Sequence, residues 1–328
     1  MDQPRQIIVR TPNWLGDHVM ALAFYQALRT RFPEASITAL MPHALKGLVL
    51  KTVIDEEWGF HKNDLKNRSK RNKLVTQIQD RQFDLSINLN SSWSSHWLFF
   101  RAKIPQRLGF SQGGTGILAT QSLPWRGIKS GQHKSQLYLG VLELMGGVVI
   151  NALNVVKPAS EVKEDFIVLA PGAAHPLREW PYFLELLIEL HRQLPRTRIK
   201  VVGTHLEESW QSRIRRLNLE RVDDLIGKTS LSDLLHLCRR SRLVIANDSG
   251  VAHLAATCGQ ATTLVIFGPG SPNYIAPQGT QVSCVTPKSL PCSPCEKAYC
   301  RAPFGYQACL KRISTEEVLG AVFRVLSL

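Results

Sequence analysis

Short apolar runs that read as buried strands, each followed by a turn and a segment of helical period, occur in two successive series along this chain. In the first series Gln6–Arg10, Ser36–Leu40 and Asp84–Leu89 are strand-like, and Asp17–Phe32, Asn72–Arg81 and Lys134–Met145 carry helical spacing. A hydrophilic stretch from Lys157 to Asp165 interrupts the rhythm. It restarts with strands at Phe166–Ala170, Ile199–Val202, Leu243–Ala246 and Thr263–Phe267, alternating with helices at Tyr182–Leu194, Glu207–Leu217, Leu231–Arg240 and Ser249–Cys258. Such runs need cover on both faces, which crossover helices supply, so each series predicts a parallel sheet of the α/β class. At 328 residues the chain exceeds what one core usually accommodates. Two Rossmann-like domains are expected, 1–160 and 161–328.

With 44% hydrophobic and 20% charged residues the composition is that of a globular protein and excludes extended disorder. Met1-Asp2-Gln3-Pro4-Arg5-Gln6 has no apolar signal core, and the longest apolar run, Leu137 to Ile150, is broken by Glu143 and too short to span a bilayer. A cytoplasmic chain is expected. The net charge of +14 favours anionic surfaces, whether nucleic acid, anionic lipid or a phosphorylated glycan. Lys62, Lys66, Arg68, Lys70, Arg71 and Lys73 crowd one segment, followed by Arg101, Lys103 and Arg107. A solvated face is the plain alternative, and no aromatic residues alternate with the cations in sequence as a single-strand-binding surface would require.

Ligands of open parallel sheets bind at the carboxyl ends of the strands, so the turns there hold the informative residues. The first strand runs into Thr11-Pro12-Asn13-Trp14-Leu15-Gly16-Asp17, where glycine permits a tight turn and a carboxylate opens a helix. Asp17 as a helix N-cap accounts for the carboxylate but not for the long Trp-bearing turn before it. The first strand of the second series runs into Pro171-Gly172-Ala173-Ala174-His175-Pro176-Leu177-Arg178-Glu179-Trp180-Pro181. Small residues there allow close backbone approach, and Arg178 offers a fork matched to phosphate. Asn247-Asp248-Ser249-Gly250-Val251-Ala252-His253 places a helix start at a strand end, a ready site for a diphosphate. The alternative makes Asp248 or Ser249 a cap and His253 a satisfied core histidine.

All seven cysteines lie in the C-terminal half, and Cys292, Cys295, Cys300 and Cys309 have a spacing that could ligate a structural zinc. Redox-sensitive thiols or buried small residues are the alternatives. A Rossmann oxidoreductase would carry Gly-x-Gly-x-x-Gly after its first strand, where only Gly16 stands.

In this order and on this frame, Asn13-Trp14-Leu15-Gly16-Asp17, Pro171-Gly172 with Arg178-Glu179-Trp180-Pro181, Asn247-Asp248-Ser249-Gly250 with His253, and Gly268-Pro269-Gly270-Ser271-Pro272 resemble the ADP-heptose–lipopolysaccharide heptosyltransferases, glycosyltransferase family 9. The resemblance covers nearly the whole chain and implies the GT-B fold, with the acceptor on the N-terminal half, the nucleotide-sugar on the C-terminal half and the reaction in the cleft between. It implies Asp17 as catalytic general base and Arg178 with the Ser249–Gly250 helix start as stabilisers of the departing ADP. Donor contacts carry over to Ala173, Ala174, Arg178, Thr229, Asp248, Ser249, Gly250 and His253, and the ribose-binding carboxylate to Glu207 or Glu208. No Asp-x-Asp pair is present, and the family needs no metal or other cofactor, ADP-heptose being a substrate. Arg178 stands where lysine is common, and Pro176 reshapes the loop before it.

The implied partners are an anionic lipopolysaccharide inner-core acceptor and the cytoplasmic membrane surface, with no nucleic acid, and the protein is expected to act as a monomer at the inner face of the inner membrane. Asn90-Ser91-Ser92 and Ile104-Pro105-Gln106-Arg107-Leu108-Gly109 look closer to enzymes adding the second heptose than to those adding the first. The final helix, Thr315–Leu326, is expected to pack back near the first domain. Another nucleotide-sugar as donor, or a non-catalytic basic protein binding anionic glycolipid, are the competing functions.

Overall fold

Two six-stranded sheets with the same strand order organise the protein. The computed structural model describes residues 3–47, 53–61, 63–146, 161–204 and 208–327. The chain divides into two compact units, Met1–Val155 and Val156–Leu328. The expected boundary near residue 160 falls outside the described residues.

In the first unit the strands are β1 (Gln6–Arg10), β2 (Ser36–Pro42), β3 (Glu56–Phe60), β4 (Leu85–Asn88), β5 (Gln106–Ser111) and β6 (Gln121–Pro124), arranged β3-β2-β1-β4-β5-β6 with every pair parallel. The helices are α1 (Leu15–Met20), α2 (Leu22–Arg31), α3 (Arg68–Asp80), α4 (Trp93–Arg101) and α5 (Lys134–Gly140). Ile8 and Leu40 of the sheet, Val75 and Ile78 of α3, and Leu98 and Phe99 of α4 form one buried cluster. The single expected helix Asp17–Phe32 is divided at Ala21, whose N–H bonds the carbonyls of both Asp17 and His18. α3 begins four residues before the expected Asn72 because Asn67 caps it, its Oδ1 accepting from Lys70 N at 3.1 Å.

The second unit repeats the plan. Its strands are β7 (Phe166–Ala170), β8 (Arg198–Val201), β9 (Val222–Asp224), β10 (Leu243–Asn247), β11 (Thr263–Ile266) and β12 (Val282–Val285), in the order β12-β11-β10-β7-β8-β9, again all parallel. Its helices are α6 (Phe183–Gln193), α7 (Glu208–Leu217), α8 (Leu231–Arg240), α9 (Gly250–His253), α10 (Pro272–Ile275), α11 (Ala308–Lys311) and α12 (Thr315–Leu326). The expected helix Ser249–Cys258 is α9 followed by a wider π turn over Leu254–Cys258. Ser314 and Glu317 start α12 with a reciprocal capping box. Val318, Ala321 and Val322 of α12 then join Phe183, Leu186 and Leu190 of α6 in the core of this unit.

Both sheets reverse strand order between their first and fourth strands, β1 against β4 and β7 against β10. A doubly wound sheet opens a crevice at the carboxyl end of that reversal, because the flanking connections leave toward opposite faces.

Candidate active site

The turns singled out in the sequence are the loops leaving these reversals. In the first unit the β1 and β4 loops are stitched together by amides: Asn90 Nδ2 donates to Thr11 O at 2.6 Å, Asn13 Nδ2 to Asn90 Oδ1 at 3.4 Å, and Asn90 N to Asn88 Oδ1 at 3.0 Å. Beneath them Arg10, 2% exposed, donates to Thr11 O and to Asn13 Oδ1, and its guanidinium lies 4.4 Å from the centre of the Phe60 ring. Burial lowers its pKa to about 9. Gly109 on β5 faces Asn88. A Cβ there would sit 2.5 Å from the Asn88 carbonyl, so the Leu108-Gly109 signature lets β5 approach the β4 loop.

This frame carries Asp17. The residue sits in the first turn of α1, whose N-cap position is Trp14 and has no side-chain cap bond, so the capping role is not the one it plays. Its carboxylate instead accepts from Lys134 Nζ at 2.7 Å, with the two side chains 23% and 15% exposed. Lys134 opens α5 and went unnoticed in the sequence, where it is an ordinary helix-start lysine 117 positions away. Trp14, three positions before Asp17, is 58% exposed.

In the second unit Asn247 ties the two loops of the reversal. Its Nδ2 donates to Pro171 O at 2.7 Å and its Oδ1 accepts from Trp180 N at 3.0 Å, while the fully buried Trp180 indole donates to Ile313 O at 2.9 Å. Arg178 ends a short 3-10 turn, Pro176–Arg178, started by the His175 ring accepting from Leu177 N. From there its Nη1 reaches Asp248 Oδ2 at 2.7 Å and its Nη2 reaches Glu296 Oε2 at 3.0 Å. The other Glu296 oxygen accepts from Ser271 N at 2.8 Å, and the backbone N–H groups of Cys295 and Glu296 both donate to Pro269 O at 2.9 Å. One guanidinium therefore locks together the β7 turn, the β10 turn and the Gly268–Ser271 turn. Asp248 is only 3% exposed, and a Cβ on Gly270 would come within 2.2 Å of its Oδ2. Gly270 is the residue that makes room for this carboxylate.

Ser249 precedes α9 without capping it, and its buried hydroxyl makes no hydrogen bond among the described residues. Gly250 begins α9, and His253 is buried one turn later. Gly172 and Ala173 are half-buried and Ala174 is exposed at the same strand end. Thr229 is half-buried in the turn between β9 and the α8 cap residue Ser230. The expected ribose partner Glu207 lies outside the described residues, and Glu208 opens α7. Asp248, Ser249, Gly250 and Arg178 are thus brought together, with Glu296 added. Nothing near Glu296 in the sequence marks it, since its neighbours carry the cysteine pattern.

The four C-terminal cysteines line one cavity of about 330 Å³ beside Leu177 and Pro269. All are free thiols, and among the described residues no three His, Cys, Asp or Glu side chains are placed to hold a metal ion. The loop that carries them supports the turn at Pro269 through the backbone hydrogen bonds of Cys295 and Glu296.

The chain is similar to several known proteins. Residues 149–304 match the model of glycosyltransferase family 9 (heptosyltransferase). The chain is 25% identical over 308 residues to lipooligosaccharide heptosyltransferase 2 of Haemophilus influenzae, covering 83% of this chain and 85% of the relative. It is likewise 25% identical over 304 residues to lipopolysaccharide heptosyltransferase 2 of Escherichia coli K12, with the same coverage. The structure of ADP-heptose lps heptosyltransferase II of E. coli superposes with a TM-score of 0.76 at 21% identity over 98% of both chains, which identifies the fold as GT-B. The chain is thus similar to glycosyltransferase family 9 over residues 149–304 and to heptosyltransferase 2 relatives over 83% of its length, on a shared fold.

Proposed function

We infer that this protein is an inverting, metal-independent heptosyltransferase carrying L-glycero-D-manno-heptose from ADP-heptose to the inner core of lipopolysaccharide. The observation that carries the reading is the joined β7 and β10 turn, where Arg178, Asp248, the Ser249 hydroxyl and the start of α9 stand at one strand-order reversal. Arg178 and the free N–H groups opening α9 suit a diphosphate, and Ser249 offers a further donor. The 2-numbered heptosyltransferase relatives supply the sugar and the acceptor class.

In this mechanism Asp17 takes the proton of the acceptor hydroxyl as that oxygen forms its bond to the anomeric carbon, while the bond to the ADP oxygen breaks on the opposite face. Lys134 orients the Asp17 carboxylate through its bond to Oδ1. Charge growing on the leaving diphosphate is met by Arg178 and the Ser249–Gly250 N–H groups. Ala173, Ala174 and Gly250 let the donor approach the backbone, with Thr229, His253 and Glu207 as further nucleotide contacts. The Asp248 and Glu296 carboxylates hold Arg178 in place, so its fork is oriented before the donor arrives.

No helix among the described residues is long and apolar enough to cross a membrane. The protein then meets its lipid-anchored acceptor as a peripheral monomer at the cytoplasmic face of the inner membrane. The test is a donor panel: ADP-heptose, ADP-glucose and UDP-N-acetylglucosamine are each supplied with purified inner-core acceptors, and products are identified by mass. Heptose addition from ADP-heptose alone is expected; preferential transfer of glucose or N-acetylglucosamine would replace the proposed donor.

A further inference from the structure

We propose that the outer stripe of α4, with the cations of α3 and β5 around it, is the surface by which this protein docks on an anionic phospholipid bilayer. Trp93, Trp97, Phe100 and Arg101 recur at i, i+4, i+7 and i+8, so one stripe of α4 is aromatic, with Trp97 half-buried at the edge of the core and Leu98 and Phe99 filling that core on the other side. An outward stripe of this kind is the reverse of what a water-facing helix carries. Trp93 is 50% exposed and Phe100 46%; Ile117, 76% exposed, stands on the 3-10 turn Thr115–Leu118 that packs against α4. Trp93 is pinned there by its indole N–H donating to Gly113 O at 3.2 Å.

The cations missing aromatic neighbours in sequence acquire them by folding. Arg71 of α3 lies 4.5 Å from the Trp97 ring centre, Arg101 5.6 Å from the same ring, and Arg107 of β5 5.6 Å from the Phe100 ring. Between residues 63 and 107 nine Lys and Arg face only three Asp. Asp64 is occupied by Lys70, Asp84 accepts from the N–H groups of Arg5 and Gln6, and Arg81 is paired with Glu56 of β3, so these cations add no free charge. What remains at this face is apolar rings rimmed by unneutralised positive charge, the combination that seats a protein in the headgroup layer of anionic lipid.

The proposal rests on the lipid-anchored acceptor of the preceding reading, but vesicle binding needs neither donor nor turnover, so the two fail separately. Sedimentation with vesicles of phosphatidylglycerol and phosphatidylethanolamine, against phosphatidylcholine alone, reads it directly. Wild type is expected to bind the anionic vesicles and to release them in high salt. Replacing exposed Arg68, Arg101 and Lys103 together by Gln weakens binding roughly 100-fold, on the order of fivefold per charge. Phe100→Ser with Ile117→Ser weakens binding even at low salt, and both variants retain wild-type melting and transfer to a delipidated acceptor. Equal binding to neutral and anionic vesicles, or wild-type binding by both variants, would overturn the proposal. So would a single-stranded oligonucleotide that displaces the vesicles and itself loses affinity for the triple variant, which would make the face a nucleic-acid surface.

Discussion

Substituting Gly270 by Ala tests how the Gly268–Ser271 turn is held against Asp248. The added Cβ would lie 2.2 Å from Asp248 Oδ2 and 3.3 Å from Ile275 Cδ1. Ordinary heavy-atom contact begins near about 3.5 Å, so the carboxylate has to retreat by roughly 1 Å or more. Asp248 is 3% exposed and bonded to Arg178 at 2.7 Å, so that retreat breaks the ion pair without giving the carboxylate to water. Breaking a fully buried pair costs about 3–5 kcal/mol. Arg178 is 30% exposed and partly screened, which brings the expected cost to about 2–3 kcal/mol. For a unit of this size that corresponds to a melting shift of roughly 5–10 °C. The assay is a thermal double-mutant cycle of wild type, Gly270→Ala, Asp248→Ala and the double variant. With the Asp248 carboxylate gone the methyl has room, and Gly270→Ala is expected to cost under about 0.5 kcal/mol in that background. An equal cost in both backgrounds would refute the clash as the cause.

Two further outcomes follow from the same geometry. Arg178→Gln leaves Asp248 and Glu296 without their cation and is expected to destabilise by about 2–3 kcal/mol, with Glu296→Gln on top recovering roughly half of it by removing one carboxylate; thermal melts of the pair decide this. His18 is fully buried with both ring nitrogens lacking a hydrogen-bond partner among the described residues, and burial lowers its pKa from 6.5 to about 4. The unfolded chain therefore binds a proton that the folded chain refuses between those values, so the His18 contribution is fully present above pH 6.5 and is lost as pH falls toward 4. Denaturant titrations should show wild type losing up to about 1.4 kcal/mol per pH unit relative to His18→Leu across that window; parallel curves for the two proteins would contradict it.

The central strands were legible because burial on both faces writes an unbroken apolar run. β1, β7, α8 and α12 occupy the expected bounds, and β10 extends the expected strand by one residue. The unread strands are mostly at sheet edges, where cover is partial and the side chains mixed: Glu56–Phe60, Gln121–Pro124, Val222–Asp224 and Val282–Val285. α4 was missed for a related reason, since Trp and Phe on its outer stripe blur the helical period. Asp17, Arg178, Asp248 and Ser249 could be named because each follows a strand. Lys134 and Glu296 could not, because their partners are 117 and 118 positions distant and pairing across such spans leaves no trace in local spacing.

The role of Asp17 is the claim on which the mechanism turns. Single-turnover transfer of heptose from ADP-heptose to an inner-core acceptor, compared between wild type and Asp17→Asn with ADP-heptose binding measured on both proteins, tests it most directly. Loss of a general base should slow transfer by about 10²- to 10⁴-fold while donor affinity stays within a few-fold, because Asp17 and the donor turns belong to different units. Transfer at the wild-type rate in Asp17→Asn would contradict the account.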